Sequence, residues 1–123
     1  MTTLRIRRHG GASKYEIWAR YLDPQRWPEW APHIREVRTD GPLRAGLQGE
    51  VVGVLGVTAT FEVLEVDETR GRWTWVVRSG PVRMRIEHEI DEGTAGLVIT
   101  GPAPAVVAYL PVARAALGRL VAR

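Results

Sequence analysis

The sequence predicts an α+β fold: a curved antiparallel sheet of about seven strands wraps around a long C-terminal helix, and two short helices follow the first strand. Three observations predict it. A strand-like run opens the chain, and six more, separated by glycine- and proline-bearing turns, fill residues 33–100. An alanine-rich, helix-periodic segment then closes the chain at 103–122. Turns this short join antiparallel neighbours rather than crossovers, and a sheet with one apolar face must be covered by something. The closing helix is the available cover.

The opening run "LRIRRH" (4–9) alternates Leu4 and Ile6 against Arg5 and Arg7 and stops at Gly10–Gly11. A helix follows, with Ser13 as N-cap and Glu16 three residues on. Its predicted buried stripe is Tyr15, Ile17, Trp18, Tyr21 and Leu22, and Asp23–Pro24 ends it. The stretch "DPQRWPEWAP" (23–32) holds three prolines in ten residues, room only for a brief second helix carrying Trp27 and Trp30.

The predicted strands are 33–39, 47–55, 58–67, 72–78, 82–91 and 96–100, broken at Gly41–Pro42, Gly56, Arg70–Gly71, Gly80–Pro81 and Glu92–Gly93. In 72–78 the two-residue period puts Trp73, Trp75 and Val77 on one face. In "VRMRIEHEI" (82–90) it puts Val82, Met84, Ile86 and Ile90 together, with His88 in the same apolar phase. Arg83 and Arg85 take the opposite phase and are expected to pair across strands. In the last segment Val106, Tyr109, Leu110, Ala113, Leu117, Leu120 and Val121 form the inward stripe, while Arg114 faces outward. Pro111 should kink that helix or mark its true start. Small residues at 113, 115, 116 and 118 leave room beside it.

With 123 residues, 45% of them hydrophobic, the chain supports one core, hence a single domain over 1–123. Seventeen basic and fourteen acidic residues give a net charge of +3, and apart from a cluster at 5–8 the arginines are scattered. That argues against a nucleic-acid face. The chain has no cysteine, which removes disulfides, thiolate nucleophiles and cysteine metal clusters. The N-terminus has no apolar signal core, and the uncharged run 101–113, interrupted by three prolines, is shorter than the ~20 residues of a membrane span. The expectation is a cytoplasmic protein without a membrane span, as a monomer or homodimer.

The element order, "IWARYLDPQRWPEWAPHIREV" at 17–37, the glycine-punctuated strands and "GPAPAVVAYL" at 101–110 resemble the polyketide cyclase/dehydrase and lipid-transport superfamily. This is the START-related, birch-allergen-like helix-grip group. The most telling piece is a helix ending in Asp23–Pro24 followed by Trp27, Trp30 and Pro32, a Trp-x-x-Trp-x-Pro turn. The resemblance implies a hydrophobic small-molecule cavity between sheet and long helix. Because the chain is shorter than typical members, that cavity is expected to be smaller, or open at one end.

Two readings of His88 stand together: a core residue held by a backbone partner, or the polar group of a cavity where an imidazole moves a proton. His33 is expected at the solvent surface, as is His9. No metal is expected, since Glu87 and Glu89 flank His88 but point to the other face, and the histidines are far apart in sequence. No Gly-x-Ser-x-Gly elbow and no Gly-x-Gly-x-x-Gly loop occurs, and no cofactor is expected. The leading expectation is therefore a polyketide cyclase/dehydratase-like protein for a polyketide or aromatic ligand. His88 is its catalytic candidate, with Trp30, Trp73, Trp75, Met84 and Tyr109 as ligand-binding candidates. The rivals are a non-catalytic carrier with the same cavity and a protein-interaction domain using the turn at 27–32.

Overall fold

The computed structural model describes residues 1–123, the side chain of Leu55 excepted. Strand β1 (Thr2–His9) leads into helix α1 (Lys14–Leu22), a 3-10 turn (Pro24–Arg26) and the one-turn helix α2 (Trp27–Trp30). Six strands follow: β2 (Ile34–Thr39), β3 (Gln48–Gly53), β4 (Thr58–Asp67), β5 (Arg72–Ser79), β6 (Val82–Asp91) and β7 (Thr94–Gly101). Helix α3 (Ala103–Leu120) closes the chain. The strands form one antiparallel sheet in the order β1-β7-β6-β5-β4-β3-β2, so that β1 pairs with the last strand and β1 and β2 are its edges. The predicted fold class holds, and the arrangement is a helix-grip fold.

Local chemistry sets the helix ends. Ser13 Oγ accepts from the Glu16 amide at 3.1 Å while Glu16 reaches back to the Ser13 amide, a capping box that starts α1. Asp23 accepts from the Gln25 amide at 3.0 Å and starts the turn that follows. The buried side of α1 is Ile17, Trp18 and Tyr21. Tyr15 is 83% exposed and Leu22 40%, against expectation. Tyr15 lies two residues, about 200° of helix, from Ile17 and so points away from it. Pro111 sits inside α3 and does not mark its start. Both Pro111 and Val107 are exposed, so the Val107 carbonyl deprived of its helical donor lies on the solvent side.

The predicted strand 47–55 ends at Gly53 because the chain tightens into a 3-10 turn, Val54–Gly56. The Gly53 amide donates to Val57 at 2.6 Å and the Val54 amide to the His33 carbonyl at 3.1 Å. Strand β7 starts two residues earlier than predicted, because Thr94 and Ala95 pair on both sides, with His9 and Arg8 and with Asp91 and Ile90.

Arg83 and Arg85 take no part in the ion pairs among the described residues. Instead Arg5, Arg7 and Arg72 gather on Glu89 at 3.5–3.8 Å. The register explains this: Gly96 separates Arg7 from Glu89 in the sheet and has no side chain to block the reach.

The C-terminal end of α3 is fastened to α1 and to the loop after β1. The Ala12 amide donates to the Val121 carbonyl at 2.9 Å, and Arg20 donates to the carbonyls of Leu120 and, at 2.7 Å, Ala122. A cation at the carbonyl end of a helix also meets its dipole favourably. No helix among the described residues is long and apolar enough to cross a membrane.

Candidate functional site

The sheet curls around α3 without filling the space between them, leaving a cavity of about 350 Å³. Its room comes from side-chain size. On α3, Ala113 and Ala116 face it, where larger residues would close it. Exposed Val54 and Val57 stand at its rim, while Trp73 at 2% exposure and His88 at 6% form its inner wall. No Asp, Glu, Lys or Arg is found among the described lining residues.

All six candidate side chains line this one cavity: His88, Trp30, Trp73, Trp75, Met84 and Tyr109. Trp73 and Trp75 come from β5, and Met84 and His88 from the adjacent β6, where Trp73 sits directly opposite His88. Trp30 and Tyr109 enter from α2 and α3 and are half-buried. Trp27 packs against Trp73 and Trp75, with centroids 5.9 and 5.3 Å away. Its Nε1 donates to the Tyr21 carbonyl at 2.9 Å, and Trp30 Nε1 donates to that of Arg20 at 3.3 Å. The two turn tryptophans thereby lock the turn onto the end of α1.

His88 is held on two sides. Its ring lies flat on Trp73, and its Nδ1 is 3.0 Å from the Trp73 carbonyl oxygen. A carbonyl only accepts, so in the neutral ring Nδ1 carries the proton and Nε2 keeps its lone pair. Burial pushes the pKa down to about 3, the hydrogen bond to Trp73 opposing part of that shift. The imidazole is neutral at physiological pH. A backbone partner thus holds one nitrogen of a residue that lines the cavity, so a core hydrogen bond and a place in the cavity wall go together at His88.

Tyr21, Trp27 and His33 line the cavity too, although none was a site candidate from the sequence. Tyr21 is 1% exposed, its ring edge-on to His88 at 5.5 Å, and its hydroxyl is buried without a protein partner. Burial, with a lesser push from Tyr109, raises its pKa, so it stays protonated. His33, expected at the surface, is half-buried, and its Nδ1 has no partner. Its carbonyl anchors the Val54–Gly56 turn and its ring meets Tyr109 edge-on at 5.9 Å, contacts that draw it to the rim. Burial lowers its pKa and raises that of Tyr109 to about 12. His9 is exposed and contacts Thr94 Oγ1 at 3.0 Å. Arg114 is exposed, as its helical position predicts.

A helix-grip domain with an aromatic-walled, uncharged cavity is the class that the geometry defines. The chain matches the model of the polyketide cyclase / dehydrase and lipid transport family over residues 1–123, and it belongs to that family. No curated protein sequence matches it. Among solved structures it is similar to DynU16 of the dynemicin biosynthetic locus, with a TM-score of 0.73 and 20% identity, covering 97% of this chain and 45% of that one. It is similar to the di-domain ARO/CYC BexL of the BE-7585A biosynthetic pathway, with a TM-score of 0.77, 16% identity and coverage of 98% and 45%. Ara h 8.0201 shares the fold at a TM-score of 0.77 with 11% identity, and coverage of 98% and 95%. The chain thus spans about half the length of DynU16 and BexL.

Proposed function

We propose that the protein binds a polyketide-like or aromatic small molecule in this cavity and promotes its cyclisation or dehydration by proton transfer, with His88 Nε2 as the proton acceptor. The observation that carries this reading is the imidazole itself: neutral, locked by the Trp73 carbonyl, and set in the wall of an apolar cavity. A lone pair held in place in a low-dielectric site needs no reorganisation when a proton arrives. The imidazolium formed would lie against the face of Trp73 and keep its Nδ1 hydrogen bond, both of which offset part of the burial that disfavours the charged state. Tyr21, protonated and unpartnered in the same wall, is suited to donate to a ligand carbonyl as the adjacent carbon loses its proton. Trp73, Trp75, Trp30 and Met84 supply flat and adaptable walls that hold a planar substrate in one pose. The neighbours DynU16 and BexL, from biosynthetic loci and pathways, support the general kind of chemistry.

The experiment is to identify the small molecule that copurifies with the protein, by native mass spectrometry, and to follow its turnover in His88→Ala and His88→Gln. Turnover lost with binding kept supports the assignment. Unchanged turnover in a folded variant rejects it and leaves a carrier.

A further inference from the structure

We infer that the inner wall selects a neutral, planar ligand that donates an O–H, a phenol or an enol, to His88 Nε2, and rejects the corresponding hydrocarbon, ether and carboxylate. This rests on the cavity being the ligand site, as proposed above, and adds the direction of the hydrogen bond and the charge state of what it accepts.

The direction follows from one contact. Nδ1 stands 3.0 Å from the Trp73 carbonyl oxygen, which has lone pairs and no proton. The single proton of a neutral imidazole is therefore spent there, and Nε2 can only accept. The ring cannot turn over to offer an N–H instead, because a half-turn would take Nδ1 from its carbonyl. Stacking on Trp73, with centroids 3.6 Å apart and planes within 5°, fixes the ring plane as well.

Each competing ligand class meets a specific penalty. A hydrocarbon leaves Nε2 desolvated and unpaired, and an ether sets its own lone pair against that of Nε2. A carboxylate adds a charge to a cavity with no cation among its described lining residues and would be stripped of its hydration. Of these classes only the hydroxyl answers the acceptor. Size and shape narrow the class further. A cavity of about 150 Å³ takes one benzene ring, so 350 Å³ between tryptophan walls suits a planar molecule of roughly two to three fused rings.

The test is a calorimetric titration of the wild-type protein with 2-naphthol, naphthalene, 2-methoxynaphthalene and 2-naphthoate. Partition out of water alone would rank 2-naphthol below the other two neutral probes, since it is the most water-soluble of them. The inference expects the reverse: 2-naphthol binds about tenfold tighter than naphthalene or the methyl ether, and 2-naphthoate binds weakest. In His88→Phe, which keeps a flat ring on Trp73 and removes the acceptor, that advantage disappears. Long-range proton–nitrogen NMR of the wild-type imidazoles supplies a readout without mutation, so a misfolded variant leaves the question decidable. A proton on Nδ1 of His88 is expected. A proton on Nε2, or 2-naphthol binding no tighter than naphthalene and the ether, overturns this inference while leaving the cavity as a ligand site. Failure of every probe to bind overturns the cavity reading and this inference with it.

Discussion

His88 lies flat against Trp73, ring planes within 5° and centroids 3.6 Å apart, and donates Nδ1–H to the carbonyl of that same residue. One residue therefore supplies both the face the imidazole rests on and the acceptor that sets its tautomer. The pair joins directly opposite positions on β5 and β6, so the ordinary register of a hairpin builds it.

This burial ties stability to pH. Below the ordinary histidine pKa of 6.5 the unfolded chain binds a proton at His88, while the folded chain does not until about pH 3. Stability is full above pH 6.5 and falls with pH through that window, by about 1.4 kcal/mol for each unit. Between pH 7 and 5 the loss from this group is about 2 kcal/mol. His33, also lowered by burial, adds a loss of the same sign. Urea unfolding at pH 7, 6 and 5 should show this slope in the wild type and a shallower one in His88→Phe.

Tyr21→Phe should separate stability from turnover. The hydroxyl is buried with no protein partner, so removing it relieves a desolvated polar group and breaks no hydrogen bond of the fold. The variant should be as stable as the wild type or more stable by about 1 kcal/mol. If Tyr21 donates to the ligand carbonyl, kcat falls about 100-fold in the same variant. Denaturant unfolding beside kinetics on the native ligand checks both halves.

The strands were legible where one face is buried and polarity alternates: residues 82–91 carry a two-residue period along their whole observed length, and 58–67 carry one as far as Val63, where a bulge before Glu65 shifts the phase. His88 stood out because it breaks that period's chemistry without breaking its phase. What stayed hidden depends on partners distant in the chain. His33 is drawn inward by the Val54–Gly56 turn and by Tyr109, which lie far along the sequence. Tyr21 read as one more apolar position on a helix stripe, since nothing local shows its hydroxyl to lack a partner. Arg5 and Arg7 reach Glu89 because β1 pairs with β7, a closure that strand patterns alone do not order, whereas Arg72 stands opposite Glu89 across the β5–β6 pair.

Gly10→Ala tests how the grip is closed. A Cβ on Gly10 would stand 2.2 Å from the Val121 carbonyl oxygen, where the end of α3 lies against the loop after β1. The neighbouring amide of Ala12 bonds that same carbonyl, so relieving the clash loosens the bond too. Overpacking against backbone should cost about 1–3 kcal/mol. It should also expose the last turn of α3 to faster amide exchange than the strands, measurable by hydrogen exchange.

Ala116→Leu should weaken binding without harming the fold. Overpacking destabilises where neighbours must move, but Ala116 borders empty apolar volume, and a leucine there can extend into the cavity instead of against the wall. Stability should stay within about 1 kcal/mol of wild type or rise, because added apolar contact replaces a void. Affinity for 2-naphthol should fall about tenfold or more, since the side chain takes space that the ligand needs. Ala115→Leu is the matched control: Ala115 is exposed on the same helix, so the identical substitution leaves affinity unchanged. Calorimetric titration of both variants, alongside their urea midpoints, decides the point. Equal affinity in Ala116→Leu and wild type would mean that the ligand binds somewhere other than between α3 and the sheet.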